Sequence, residues 1–496
     1  MDGKDKDYET IDKADKGHWK YFFRQAFVCT GPWVAYFLCG LSFGAPTVFI
    51  PQIRNAANST EAVSDEMASW LSSVFGYSAL PWVIIIPIVT RHIGRKLPFA
   101  IVVVNTISYF LVFYFSTTTT QILISEIMQG MNHACNMTLS VIIVSEYSAP
   151  KYRGLFLTIK SASIFWGIWI ANAIGTFYPW KYIAVIGICL SVYPFTVLLW
   201  PESPQWLASK GRFSECRKTH RWLRGTDEKS EKELENLIAS QLEYMGGKEK
   251  NFRDRLAEQF KTKCFYKPVL LSIVMMLQYH LSGKVAVTMY SVEIIKKITK
   301  DEYTAYRGML VLDGVTVSGM YVGCVLSKFL KRRVLLFTTT VIGLCFLFTI
   351  SFYLYAIKLG FLSESNVITV CLLMGFSVAI SCGPMIISTS IYGELIPLRY
   401  KSSCTMIAAF TFVTISSTIL KISPYLFKHL EMHGAFFFYG ATTTVCFLFL
   451  YKYLPETKDK TLQEIEDDFN GVKRIDGEKE MVPLKGGAES KDYVLY

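Results

Sequence analysis

The sequence predicts an all-α membrane protein: twelve transmembrane helices in two pseudo-symmetric six-helix halves, with a cytoplasmic helical linker between them. Two observations predict this fold class. The first is composition, since 51% hydrophobic and 15% aromatic residues, with a mean hydropathy of +0.31, exceed what a soluble chain of 496 residues buries. The second is an internal duplication. Thr90-Arg91-His92-Ile93-Gly94-Arg95-Lys96 has a counterpart in Ser327-Lys328-Phe329-Leu330-Lys331-Arg332. Glu146 and Arg153 recur at the same mutual spacing as Glu394 and Lys401, and Pro201-Glu202-Ser203 recurs as Pro455-Glu456-Thr457. A repeat half a chain long excludes solenoids and propellers. It points to two joined copies of one membrane bundle.

Apolar runs of about 20 residues, enough to cross roughly 30 Å of hydrocarbon, lie at twelve places. After a cytoplasmic tail over 1–24, the N-terminal bundle (25–200) holds runs at 26–50, 67–89, 97–116, 120–145, 155–178 and 181–200. The polar stretch 201–264 reads as linker helices: Ser203 before Pro204 is a helix cap, and Leu234, Leu237, Ile238 and Leu242 mark one helical face. The C-terminal bundle (265–454) holds runs at 266–291, 304–326, 333–356, 366–392, 402–426 and 434–454. Over 455–496, Thr461 and Glu464 form a capping box that starts a further helix, and the end of the chain has the composition of a disordered tail.

Lys and Arg set the orientation, because positively charged short loops stay on the cytoplasmic side. Arg91, Arg95 and Lys96, then Lys151 and Arg153, then Lys328, Lys331, Arg332 and Arg333, then Arg399 and Lys401 occupy alternate loops. Lys296, Lys297 and Lys300 break the pattern in one loop, yet both termini are expected inside. The net charge of +11 therefore serves orientation and attraction to an anionic inner leaflet, not nucleic-acid binding. The mixed charges of residues 1–24 do not form a signal peptide, so the first span is expected to be an anchor. Cysteines within apolar runs and without a CxxC spacing read as small core residues. Asn58, in the first outer loop, is the candidate glycosylation site, whereas the sequon at Asn136 lies mid-span.

The sequence resembles the sugar porters of the major facilitator superfamily, and among them the insect facilitated trehalose and hexose transporters. The resemblance spans about 20–466. Its carriers are Ser69-Trp70 with Ser73, Arg91 with Gly94-Arg95-Lys96, Gly130, Glu146 with Arg153-Gly154, and the run Pro201-Glu202-Ser203-Pro204-Gln205-Trp206-Leu207. They continue with Ser282-Gly283, Gly383-Pro384, Glu394 with Pro397, and Pro455-Glu456-Thr457-Lys458 through Thr461-Leu462. This resemblance implies the major facilitator fold, in which two halves rock about a midplane site. Such rocking needs a seam that closes in one state and opens in the other. Arginine suits it, because a guanidinium holds two carboxylate contacts that break without disrupting either half. The expected inner gate is therefore Arg91, Arg95, Arg153, Lys328, Lys331, Arg332 and Lys401 with Glu146, Glu202 and Glu394.

The sugar site departs from the family pattern. Where sugar porters usually carry Gln-Gln-x-Ser-Gly-x-Asn, this chain has Tyr279-His280-Leu281-Ser282-Gly283-Lys284-Val285. The fifth-span glutamine falls on Ser161, and the tenth-span tryptophan falls on Ile387 counted from Gly383, or on Thr389 counted back from Glu394. Each lost amide removes both a donor and an acceptor for a sugar hydroxyl. The expected solute-facing set is Ser161, Tyr279, His280, Lys284, Tyr290, Ile387 and Thr389, with altered specificity.

Glu126, Lys160, Lys284 and Asp313 lie within spans, so they must face a cavity or one another. In one reading, His280 and Lys284 share a helical face and draw an anionic solute. In the other, charges pair internally, Glu126 with Lys160 and Asp313 with a neighbouring base. Lys421 is expected to snorkel at the outer rim. The acid that proton-coupled members carry in the first span is absent from Gly40–Thr47, which favours a uniporter.

Three functions follow. The foremost is facilitated diffusion of a sugar (trehalose, a hexose or a related polyol) by alternating access. The others are carriage of a different polar or anionic solute, and a non-transporting sensor on a carrier fold. No P-loop, G-x-S-x-G, H-E-x-x-H or metal-spaced cluster occurs, so no enzyme activity, cofactor or metal is expected. The expected partners are the solute and the bilayer, with the protein a monomer in the plasma membrane.

Overall fold

The computed structural model describes residues 2–57, 59, 62–246, 263–395 and 401–458. Regular structure among them is helical. The N-terminal lobe is built from α1 (Asp2–Ala56), α2 (Asp65–Ile93), α3 (Lys96–Phe115), α4 (Thr119–Met137), α5 (Leu139–Tyr147), α6 (Pro150–Phe177) and α7 (Lys181–Ser191). A 3₁₀ turn, Tyr193–Leu199, completes the sixth span. Three short helices follow: α8 (Pro204–Ser209), α9 (Phe213–Arg224) and α10 (Glu228–Gly246). The C-terminal lobe contains α11 (Lys263–Leu281), α12 (Lys284–Met289), α13 (Ser291–Thr299), α14 (Glu302–Phe329), α15 (Arg332–Lys358), α16 (Asn366–Cys382), α17 (Pro384–Leu395), α18 (Lys401–His429) and α19 (Glu431–Tyr453).

Eleven of the described helical segments are long and apolar enough to cross a membrane. The fourth expected span is present as α4 and α5, which makes twelve. It breaks at Thr138, whose N–H is shared between the Ala134 and Cys135 carbonyls while its hydroxyl donates to Ala134 O at 2.7 Å. A side chain bonding back to the preceding turn bends a helix in this way. The seventh span breaks for a different reason. Gly283 sits at φ +76°, and a Cβ there would lie 2.5 Å from the Tyr439 ring, so glycine is required by both backbone and packing. The tenth divides at Gly383-Pro384, where proline offers no N–H to continue α16. At the N-terminus the helix runs unbroken from Asp2, so no boundary separates the expected tail from the first span.

Within each lobe, packing is close: α1 lies on α6, α2 on α4 and α3 on α7, with α15 on α19 and α14 on α16 in the other lobe. Between lobes the principal contacts are α2 against α18 and α6 against α14. The linker helices dock on the charged-loop end of the first lobe. Arg24 and Gln25 donate to the carbonyls of Trp222 and Leu223, Arg224 donates to Ser148 O, and Trp206 Nε1 donates to Arg91 O at 3.1 Å. Ser203 caps α8 as expected, accepting from Trp206 N. Leu234 and Ile238 are buried against Trp206, Leu207 and Cys216, whereas Leu242 is exposed. The helix expected at Thr461 lies outside the described residues, as does Asn58.

Candidate functional site

At the charged-loop end, Arg95 is the centre of the first cluster. Its Nε and Nη2 donate to the two oxygens of Glu146 at 3.0 and 2.8 Å, and its Nη1 donates to Thr90 O at 2.8 Å. Ser203 Oγ donates to Glu146 Oε2 at 2.5 Å. Glu202 accepts the backbone N–H groups of Arg95 and Ser203. Burial works against the Arg95 charge, but hydrogen bonds and attraction from Glu146, with Glu202 behind it, prevail and hold its pKa above the usual value. Gly94 makes room for this at φ +109°, since a Cβ there would lie 2.4 Å from Glu202 Oε2.

The second lobe repeats the arrangement. Arg332 Nη1 donates to Ser327 O at 2.9 Å, as Arg95 does to Thr90 O. Glu456 accepts the backbone N–H groups of Arg332 and Arg333 at 3.0 and 3.1 Å, the role Glu202 plays at Arg95. Glu456 was not among the expected gate residues. Its signal was present in the recurrence of Pro201-Glu202-Ser203 as Pro455-Glu456-Thr457.

In this structure the clusters close within each lobe and not across the seam. Arg95, Glu146 and Glu202 tie α3, α5 and the start of the linker together inside one lobe, because the bidentate contact joins neighbouring helix ends. Arg91, Lys328 and Lys331 are exposed, and Arg153 is half-buried near Arg224. The side chains of Glu394 and Lys401 lie outside the described residues. Glu146→Gln is expected to cost about 2 kcal/mol by weakening charge-assisted hydrogen bonds to Arg95. Thermal unfolding checks this, and an unchanged midpoint would show that the cluster adds nothing to the lobe.

The lobes are instead joined at the opposite end and through the middle. Asn55 donates to Glu302, Thr47 Oγ1 to Met289 O at 2.9 Å, and Ser69 Oγ to Lys421 O at 2.7 Å. Lys428 lies 3.5 Å from Asp65. Lys421 does not snorkel, since its ammonium sits 3.7 Å from the Trp70 ring centre across the seam. On the other side, Trp169 Nε1 donates to Leu310 O at 3.1 Å and Trp166 Nε1 to Tyr321 OH at 3.0 Å. Asn172 Nδ2 donates to Asp313 Oδ2 at 2.6 Å. Sequence reasoning missed this set, which joins residues from unlike parts of the repeat.

Of the expected solute-facing residues, Ser161 is exposed, while Tyr279, His280, Lys284, Tyr290 and Ile387 are buried. The Thr389 side chain lies outside the described residues. His280 packs edge-on against Phe412, 4.7 Å between ring centres, and beside Tyr279. The shared face expected for His280 and Lys284 is absent because the helix ends at Leu281 and turns through Gly283 before α12 begins. Lys284 Nζ donates to Thr316 Oγ1 at 2.7 Å and to Ser377 Oγ, and lies within electrostatic range of Asp313. Asp313 is hydrogen-bonded to Asn172 and acts on Lys284 only through its field, so the expected contact pair with a base is not formed among the described residues. Glu126 and Lys160 do not pair: Lys160 lies 3.8 Å from the Tyr36 ring centre, and Glu126 Oε2 has no partner among the described residues. Ile387 is also corrected as a solute contact, since it is fully buried in an apolar cluster with Met275, Leu335 and Leu450.

Two helical lobes meeting along paired helices, each with its own charged cluster at one end, define a two-lobed membrane transporter. The chain belongs to the family described as Sugar (and other) transporter, whose sequence model matches residues 28–469. It is 25% identical over 456 residues to the facilitated trehalose transporter Tret1 of Apis mellifera ligustica, covering 91% of this chain and 89% of that protein. With the Drosophila willistoni Tret1 it shares 26% identity over 434 residues, 85% of this chain and 48% of the relative. Among solved structures, the inward-open xylose transporter XylE from E. coli superposes with a TM-score of 0.71 at 13% identity, covering 88% of this chain and 98% of that one. XylE bound to 6-bromo-6-deoxy-D-glucose gives 0.70 at 15% identity, over 90% and 100% of the two chains.

Proposed function

We propose that this protein moves a sugar across a membrane by facilitated diffusion, with its two lobes alternating access to a site between them. The observation that carries this reading is the asymmetry of the seam. Cross-lobe contacts gather at the end of Asn55, Asp65, Glu302 and Lys428, whereas the charged clusters at the other end close on their own lobes. With the basic loops on the cytoplasmic side of the plasma membrane, and both termini there, the structure is the form shut to the outside.

Trehalose and hexoses are the substrates to test first, because the relatives are named trehalose transporters and the scaffold follows theirs. The binding residues differ from the family pattern, so specificity is altered. An anionic solute is disfavoured by one observation: the Lys284 ammonium is occupied by Thr316, Ser377 and the field of Asp313. Uptake in transporter-deficient cells, comparing trehalose, glucose, fructose, polyols and organic anions, tests the reading. Saturable sugar uptake that an inward proton gradient does not accelerate is expected. Preference for organic anions would overturn it, and surface-expressed protein that takes up nothing would favour a sensor.

A further inference from the structure

One buried carboxylate has no use in the seam or in either charged cluster. Glu126 and Gln129 project from the same face of α4, three residues apart, and are 4% and 1% exposed. Together with Ser42, Tyr109 and Ser125 they line a small cavity inside the N-terminal lobe. Glu126 Oε2 and both amide atoms of Gln129 lack any hydrogen-bond partner among the described residues. Tyr109 OH accepts from Ser42 Oγ at 2.9 Å and from Asn132 Nδ2 at 3.4 Å, which leaves its own hydrogen free for a further acceptor.

Charge makes the case specific. A carboxylate taken out of water is either neutralised by a proton or balanced by a positive charge. Of the intramembrane bases in this lobe, Lys160 stands over Tyr36, and His133 contacts Cys39 Sγ and the Phe75 ring, so neither pairs with Glu126. The cavity wall supplies one carboxylate, one amide carbonyl and the hydroxyls of Ser42 and Ser125, oxygen donors of the kind hard cations take, set among the apolar Ala45, Phe110, Phe113 and Ile183. A single carboxylate balances a single positive charge. The space fits an occupant about the size of one water molecule.

We propose that this cavity binds one monovalent cation of sodium size, held by Glu126 and Gln129 and completed by the hydroxyls of Ser42 and Ser125. The site belongs to the lobe and not to the seam, so it stands independently of which solute the seam carries. Full-length protein in lipid nanodiscs tests it, with NaCl replaced stepwise by choline chloride at constant ionic strength and pH. Na⁺ is expected to raise the unfolding midpoint saturably, and radiolabelled Na⁺ to bind with a stoichiometry of one. Glu126→Gln, which removes the charge and keeps the shape, abolishes both effects. Gln129→Leu, which removes the two unpartnered amide atoms, weakens Na⁺ binding severalfold while the protein stays folded. The double variant Asp313→Asn with Lys284→Met, which removes the other buried carboxylate and its base, keeps the Na⁺ response. A wild-type protein indifferent to Na⁺ overturns the proposal, as does a response that survives Glu126→Gln or disappears in the double variant. Stabilisation that follows pH with Na⁺ inert also overturns it, and assigns the carboxyl to a proton.

Discussion

Asp313→Ala is expected to be the most damaging substitution within the membrane region. It removes the acceptor of the Asn172 hydrogen bond and the negative field beside Lys284 in one step. Lys284 is 1% exposed and would keep only the hydroxyls of Thr316 and Ser377. Leaving the Asn172 amide unpaired and the buried Lys284 charge without its nearby carboxylate costs about 3 kcal/mol. A double-mutant cycle separates this from simple loss of packing. Lys284→Met should be milder, since a long apolar chain fills the same space, and adding it to Asp313→Ala should recover part of the loss. Unfolding midpoints and surface expression of the four proteins provide the measurement. Strictly additive effects would show that the two charges do not sense each other.

The second large effect is expected at Gly76. Here α2 passes so close to α18 that an added Cβ would lie 1.6 Å from Ser417 Oγ and 3.5 Å from Val413 O. Gly76→Val forces these helices apart at a cost of about 1–3 kcal/mol. The penalty falls on the closed seam alone, because α18 belongs to the other lobe, so it shifts the balance between states more than it unfolds either lobe. Cysteines placed near Asn55 and Glu302 should become more accessible to an impermeant thiol reagent added from outside. Unchanged labelling with normal expression would show that the crossing at Gly76 does not hold the seam shut.

The parts of this structure that were legible in the sequence are those written locally. Span length, loop charge and the duplicated signatures produced the twelve-segment fold, because each needs only hydrophobicity and spacing. The cap at Ser203 and the buried face of α10 were readable for the same reason. The repeat even contained the role of Glu456, although residue-by-residue reasoning passed over it. What could not be read was direction in space. Arg95 and Glu146 are compatible with a contact across the seam or within a lobe, and only the packing of α3 on α4, which continues into α5, decides. His280 and Lys284 share a face on an uninterrupted helix, but the left-handed turn at Gly283 cancels that geometry. The contacts of Asn172 with Asp313 and of Trp70 with Lys421 join residues from different lobes, and no local pattern announces them.

The interruption at Ser282-Gly283 has a mechanical corollary. An unbroken rod would carry any tilt imposed at its outer tip, where Thr47 grips Met289, directly down to the ring of His280. A joint made from one left-handed glycine, wedged by Tyr439, passes on little of that torque. The outer portion of the seventh segment, tied to α1 through Thr47 and to α18 through Tyr290, can thus change its angle to the inner portion, whose His280 packs on Phe412. The two ends of the passage can then be worked one at a time, and a carrier that never opens both together does not leak.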